Sequence, residues 1–323
     1  MEEMLSMVLH ILDTSNYIYA GSAYSTSWIA RGVRETNGSY SANEAPIGGV
    51  KCLLNNVFRL TGPNSVVMPV FDATPTIKRE MYADAFGDPY GYKGNRKKNK
   101  TNVAGQKDYA RVILEDMGYP VQYATDYEAD DLIYTIVQMY RDDYDHIYIH
   151  TQDSDLFFLV DEKVTIAPTG EEKRFGTRGK TITVENYTTT VVKDKLTIYN
   201  GIHLMKLGKG DTSDNIPGIG MKWLEELDKV LKPEDYPKLG DLDLCRKLLR
   251  ELVMNHPELP GGHKVIPTFN IIVPLKVPVD LINDAEPIID EFKMQYYKGD
   301  WCASIDTWGL EDLLAEYIDS YYS

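Results

Sequence analysis

The chain predicts an α/β fold: a parallel-sheet core that carries a basic insert and is followed by a mainly helical C-terminal region. Three observations lead there. Short β-rich apolar runs alternate with helical patterns through the first half, as in parallel sheets built from βαβ units. Two of those runs end at an aspartate, and a third is followed at once by two more. At 323 residues with 43% hydrophobic and 26% charged residues, the chain is long enough to bury a sizeable core and falls in the globular range.

The elements follow in order. Val8 to Leu12 is the first apolar run and ends at Asp13, and Val66 to Phe71 is the second and ends at Asp72. Glu128 to Tyr140 reads as a helix, with Leu132, Ile133, Ile136, Val137 and Tyr140 on one apolar face. Ile147 to His150 is the third run, followed at once by Thr-Gln-Asp-Ser-Asp with Asp153 and Asp155. Val164 to Tyr187 reads as a hairpin-like strand and turn. These expectations divide the chain into an α/β core over 1–189, with the insert at about 75–111, and a helical region over 190–323. The second region holds a helix–loop–helix at about 194–231, a proline-rich stretch after 232 and an acidic amphipathic helix from Leu310 to Tyr321.

Bulk composition narrows the function. There are 34 basic and 49 acidic residues, a net charge of −15, which argues against a sequence-blind nucleic-acid coat but not against a nuclease built on carboxylates. The three cysteines, Cys52, Cys245 and Cys302, are far apart and form no CxxC pair, so a disulfide framework or thiolate zinc site is not expected. The start, Met-Glu-Glu-Met, lacks the basic region of a secretory signal, and no apolar run is long enough to span a bilayer. A soluble, cytoplasmic protein without membrane contact is expected.

Nine carboxylates carry the chemistry: Asp13, Asp72, Glu128, Asp130, Asp131, Asp153, Asp155, Asp211 and Asp214. In open α/β sheets the carboxyl ends of the strands line the ligand crevice, so three strands deliver acids to one edge. Hard divalent ions take oxygen ligands, and two of them a few ångströms apart can clamp the attacking and leaving oxygens of a phosphodiester. A structural reading stands beside this one. Thr125-x-x-Glu128 matches a capping box, acids suit a first helical turn, and Asp153 and Asp155 also fit a turn. The four features in succession favour the metal reading. The six histidines fall in no metal or triad pattern, and His146 and His150 read as packing or surface residues.

The insert over 75–111 carries nine cationic and four anionic side chains, a local +5 that leaves −20 for the rest. Tyr82, Phe86, Tyr90 and Tyr92 lie among Lys78, Arg79, Lys93, Arg96, Lys97 and Lys98. Cations supply salt-dependent phosphate contacts and aromatic rings offer platforms for unpaired bases. A solvated basic loop is the alternative. In Ile216-Pro-Gly-Ile-Gly220-Met-Lys222, Gly218 and Gly220 let backbone approach a phosphate at a helix N-terminus, with Lys222 adding charge. A plain helix-joining turn would explain these glycines but not Gly210-Asp-Thr-Ser-Asp214 before them.

Taken together, Ile-Leu-Asp13, Phe-Asp72-Ala-Thr-Pro, Tyr92-Lys-Gly-Asn-Arg96, Tyr127-Glu-Ala-Asp-Asp131, Thr151-Gln-Asp-Ser-Asp155 and Gly210-Asp-Thr-Ser-Asp-Asn-Ile-Pro-Gly-Ile-Gly220 resemble the 5′-nuclease (flap endonuclease) superfamily. That group includes the 5′-exonuclease domains of bacterial DNA polymerases and the phage primer-removing 5′-nucleases. The resemblance covers roughly residues 8–225. Phe269-Asn-Ile-Ile-Val-Pro-Leu loosely resembles the C-terminal part of phage RNase H-type members, which points to a phage replication enzyme acting in the host cytoplasm.

The resemblance implies a PIN-like/5′-nuclease core with a helical arch and a helix–loop–helix DNA clamp. It implies two Mg²⁺ ions, for which Mn²⁺ can substitute: Asp13, Asp72 and Asp130 on the first, Asp153, Asp155 and Asp214 on the second. Glu128, Asp131 and Asp211 would act directly or through bound water. Lys93 would contact the scissile phosphate, assisted by Arg96, with Asp130 and Asp155 beside them in the catalytic set. Arg79, Lys97, Lys98, Gly218, Gly220 and Lys222 would bind DNA, with K⁺ at the glycine loop. The substrates implied are branched or nicked duplex DNA with a 5′ flap and RNA–DNA primer duplexes. The protein would act as a monomer, with single-strand-binding protein or other replisome components as partners. Two rival readings remain: a PIN-like ribonuclease acting on single-stranded RNA, and a structure-specific DNA-binding protein with a disabled site.

Overall fold

In the computed structural model, the described residues are 6–23, 48–62, 64–88, 91–96, 103–167, 181–187, 206, 210–217, 242–256 and 270–283. Within them, β1 (Val8–Asp13), β2 (Ser65–Val70), β3 (His146–His150) and β4 (Val164–Ala167) form one sheet in the order β2-β1-β3-β4. Every pairing is parallel, with Val8 opposite Ser65 on one side and His146 on the other. Parallel strands need crossovers, and these come as helices on both faces. Helices α1 (Thr14–Ala23) and α2 (Gly48–Leu60) join β1 to β2; α3 (Thr76–Phe86), α4 (Val103–Asp116) and α5 (Ala129–Tyr140) join β2 to β3.

Alternation along the strands builds a core on each face. Leu9, Ile11, Val66, Met68, Ile147, Ile149, Val164 and Ile166 point toward α5, whose Leu132, Ile133, Ile136 and Val137 close that side. Leu12 and Val67 point the other way, onto α1, α2 and α4 through Ile18, Leu53, Leu54, Val57, Phe58, Ile113 and Leu114. This second face turns polar on β3, where His150 is buried with its Nε2 2.9 Å from His10 Nδ1. Burial and the neighbouring imidazoles lower both rings, to about 4 for His10 and about 3 for His150, so the pair packs as neutral groups. Packing is thus the role of His150, as expected.

One sequence expectation is extended and one is revised. Among the described residues the run from Val164 supplies a fourth parallel strand, and the antiparallel bridge Ile166 to Ile182 gives it hairpin character, with 168–180 outside the described residues. The cap of α5 is Glu128 instead of Thr125: the Glu128 N–H donates to Asp131 Oδ2 at 3.1 Å, one residue set further along the chain. The helix–loop–helix over 194–231 falls largely outside the described residues, as does the acidic helix Leu310 to Tyr321. A further helix, Leu242–Asn255, is present beyond it. No helix among the described residues is long and apolar enough to cross a membrane.

Helices α1 and α2 touch through glycine. A Cβ on Gly49 would stand 2.6 Å from the Ile18 carbonyl oxygen and 2.7 Å from Gln106 Oε1, the acceptor of the Gly49 N–H. Gly49→Ala should therefore lower stability by about 1–3 kcal/mol, as overpacking does. Chemical denaturation of the two proteins measures the difference.

Candidate acidic site and its cationic partners

The parallel strands all end at one edge, and that edge collects the acids. Asp13 closes β1; Asp72 follows β2 by two residues; Glu128, Asp130 and Asp131 begin α5; Asp153 and Asp155 open the turn after β3. Oxygens of Asp130, Asp153 and Asp155 lie within 4.8 Å of one another. Asp13 is nearly fully buried and accepts from Asn16 and, at 2.9 Å, from Thr151. Thr151 Oγ1 in turn accepts from the Asp153 N–H at 3.0 Å, and Asp153 Oδ1 accepts from the Asp155 N–H at 3.0 Å. One hydrogen-bonded chain therefore links the ends of β1 and β3.

Internal cations sort the rest. Lys78, buried on α3, lies 2.9 Å from Glu128 Oε2 and 3.1 Å from Asp131 Oδ1. Lys93 contacts Glu128 Oε1 and lies 3.8 Å from Asp214. Arg96 Nη2 is 2.6 Å from Asp214 Oδ1. Lys107 on α4 is 3.1 Å from Asp72 Oδ2, and Lys206 pairs with both Asp155 and Asp211. Among the described residues no lysine or arginine pairs with Asp13, Asp130 or Asp153.

Protonation follows this division. Burial, then the charges of Asp72 and Asp153, push Asp13 up to about 7. Burial and Asp153 push Asp155 up to about 7 in spite of Lys206. Burial, with Asp153 and Asp13, also drives Asp130 well above the ordinary carboxylate range. Burial acts the same way on Glu128, but Lys78 and Lys93 overcome it and hold that group at about 2. Asp72 is likewise depressed, because Lys107, the Ser15 hydroxyl and the Ala129 N–H outweigh its burial. Asp211 sits at about 2, where Ser213 and Lys206 outweigh burial. Acids that burial and one another's charges push toward protonation, as at Asp13, Asp130 and Asp155, are suited to a cation.

The basic insert meets this edge through a zip of hydrogen bonds. The turn 91–96 and the loop 210–217 are joined by Lys93 N–H to the Asp214 carbonyl at 3.0 Å, Asn95 to Thr212 O at 2.7 Å and Arg96 Nε to Ser213 O at 3.2 Å. Asn215 Nδ2 donates to Gly91 O at 2.8 Å, and the Tyr82 hydroxyl to Asn215 O at 3.0 Å. Lys93 adopts a left-handed φ of 56°, uncommon outside glycine, and the zip holds it there.

The site differs from its sequence reading in several respects. Lys78, Lys107 and Lys206 were not among the expected site residues, yet each balances one or two of its acids. Periodicity gives no sign of this, because a lysine on a helix is ordinarily solvated. Asp131 does not face the acid cluster; it is buried among Lys78 and the N–H groups of Glu128 and Leu275. Tyr82 and Tyr92 are buried instead of offering open rings, and the Tyr92 hydroxyl donates to Glu128 Oε2 at 2.8 Å. Arg79 is half-buried on α3. Lys97, Lys98, Gly218, Gly220 and Lys222 lie outside the described residues.

Residues 8–196 match the 5′-3′ exonuclease N-terminal, resolvase-like domain, more than half of the chain. The protein belongs to that family. It is 27% identical over 260 residues to a 5′-3′ exonuclease of Aquifex aeolicus, covering 75% of this chain and 81% of that one. It is 30% identical over 200 residues to DNA polymerase I of Caldicellulosiruptor bescii, covering 60% of this chain but 23% of the relative. The chain thus spans about a quarter of the DNA polymerases it matches. The T5 D15 protein, solved in crystals grown with metal ions, shares the fold at a TM-score of 0.51 and 16% identity, over 96% of this chain and 99% of that one.

The charge on Asp13 can be tested without metal. Its folded value, about 7, lies above the unfolded value of about 3.9. The folded state therefore holds the proton more tightly, and stability falls as pH rises from about 4 to about 7, staying level above that. In chelator, the melting advantage of Asp13→Asn over the wild type should grow from pH 5 to pH 8, reaching several degrees at pH 8. Equal melting at both values would remove the buried-charge assignment.

Proposed function

We propose that the protein is a structure-specific 5′-nuclease, hydrolysing phosphodiesters near the 5′ ends of flapped, nicked or RNA-primed duplexes during DNA replication. The observation that carries this reading is the convergence of the acidic strand ends with Lys93 and Arg96 on one edge. Family membership supports the class of activity.

The donor set fits hard divalent ions: every candidate ligand is a carboxylate, and the Asp130, Asp153 and Asp155 oxygens are close enough to share one. Asp13, Asp72 and Asp130 would hold a first Mg²⁺ and Asp153, Asp155 and Asp214 a second. Bound there, Mg²⁺ or Mn²⁺ supplies an activated water and neutralises the charge on the departing oxygen. The protein's own groups do the rest. Lys93, held on Glu128, and Arg96, held on Asp214, present cationic donors to the phosphate at this edge. Glu128 and Asp131 serve as anchors for Lys78 and Lys93, and Asp211 as an anchor for Lys206. Arg79, Lys97 and Lys98 extend the cationic track. Gly218, Gly220 and Lys222 grip the duplex backbone, with K⁺ at that loop. The division into a core over 1–189 and a helical DNA-binding region over 190–323 suits these two tasks.

A panel of 5′-flap, nicked, blunt, single-stranded and RNA-primed substrates in Mg²⁺, with chelator as control, tests the reading. Cleavage should be metal-dependent and favour the flapped and primed duplexes. Asp153→Asn should lose more than the roughly 10–100-fold caused by removing an outer partner of a metal ligand. Lys93→Ala should lose about 10²–10³-fold, as for a transition-state donor. Cleavage confined to single-stranded RNA, or flap binding without cleavage, contradicts the proposal.

A further inference from the structure

Residues 270–283, beyond the family-matched span, return to the core as a strap. Ile271, Ile272, Val273, Val277 and Ile282 are buried, and Val277 and Ile282 join the core beneath α5. The strap's polar contacts fall on two points. The Leu275 N–H donates to Asp131 Oδ1, and the Val277 N–H to Thr135 Oγ1 at 2.8 Å, one turn further along α5. At the other end, Asn283 exchanges two hydrogen bonds with the buried side chain of Gln122, both at 3.0 Å, while its amide donates to Val121 O at 2.9 Å.

Both points are attached to acids of the site. Asp131 closes the first turn of α5, and its neighbour Asp130 belongs to the cluster with Asp153 and Asp155. Gln122 bonds through its backbone to Pro69 O at 2.8 Å and accepts from Phe71 N–H at 2.9 Å, immediately before Asp72. The strap therefore grips the two segments that deliver Asp130 and Asp72 while touching neither. Asp131 is held by two backbone N–H groups and Lys78 together. Without the Leu275 N–H, Lys78 and the helix cap alone would set the first turn.

We infer that the strap is a positioning element of the acidic site, setting Asp130 through Asp131 and Asp72 through Gln122, so that divalent-ion affinity depends on it. This rests on the nuclease reading for the identity of the ions. Coupling is reciprocal: if the strap favours ion binding, the ion must favour the closed strap.

Two experiments on the full chain test it. In hydrogen exchange, Mg²⁺ should slow the amides of 270–283 and of the first turn of α5 several-fold relative to chelator, beyond any change in α2. Unchanged strap exchange would overturn the inference. In calorimetric titration with Mn²⁺, Leu275→Pro, which removes the donor to Asp131, should weaken binding several-fold. Gly49→Ala, outside the strap and the segments it grips, should lower the melting temperature while leaving Mn²⁺ affinity within twofold. Equal affinity in Leu275→Pro and wild type, or equal losses in both variants, would overturn it. Should Leu275→Pro not fold, the exchange measurement decides. Failure of the wild type to bind Mn²⁺ would sink the nuclease reading and the strap inference together, whereas wild-type binding with a silent strap removes only the second.

Discussion

Mutual repulsion among the carboxylates at one sheet edge is the constraint around which the structure is arranged. Parallel β1, β2 and β3 all end there, so the topology that builds the core also crowds the acids. Buried like charges either protonate or acquire counter-charges. Both outcomes occur here. Lys78, Lys93, Arg96, Lys107 and Lys206 pair with Glu128, Asp214, Asp72 and Asp211, whereas Asp13 and Asp130 are pushed toward protonation, as are Asp131 in spite of Lys78 and Asp155 in spite of Lys206. The result is a neutralised rim around an uncompensated centre, and that centre is where an added cation gains most.

The same balance connects parts of the chain that are distant in sequence. Glu128 is shared by Lys78, Lys93 and Tyr92, so the start of α5 is tied both to α3 and to the turn 91–96. Asp214 is shared by Lys93 and Arg96, and the hydrogen-bonded zip of 91–96 with 210–217 holds both cations in place. Removing one partner of such a buried pair leaves an uncompensated charge, a larger penalty than the pair's own net contribution. The network therefore fixes geometry more than it adds stability.

Much of this was legible in the sequence, for identifiable reasons. Strands buried on both faces read as apolar runs, and the aspartates at their ends mark the ligand edge whatever the side-chain detail. The motifs from Asp13 to Asp214 needed only order and spacing. What was illegible depended on tertiary contact. Lys78 and Lys107 look like members of a solvated basic insert, because nothing in a local window tells that the helix face beneath them meets Glu128 or Asp72. Tyr82 and Tyr92 read as open rings for the same reason. The cap at Glu128 instead of Thr125 starts the helix three residues later, where Lys78 and the Leu275 N–H meet its first turn. The strap is proline-rich and without period, so its place on α5 and Gln122 left no pattern to read.

The charge of the insert takes on a different meaning in this light. Its local +5 included Lys78, Lys93 and Lys107, all now directed at carboxylates of the same molecule. Arg111 pairs with Glu115 at 2.9 Å and lies over the Tyr123 ring. Among the described residues of the insert this leaves half-buried Arg79 and Arg96, the latter half-exposed even while it holds Asp214. In a chain whose residues outside the insert sum to −20, so few remaining cations give a phosphate backbone few places to rest. Approach would then be restricted to the edge where the uncompensated acids lie, and repulsion elsewhere would do as much as attraction here to place a substrate.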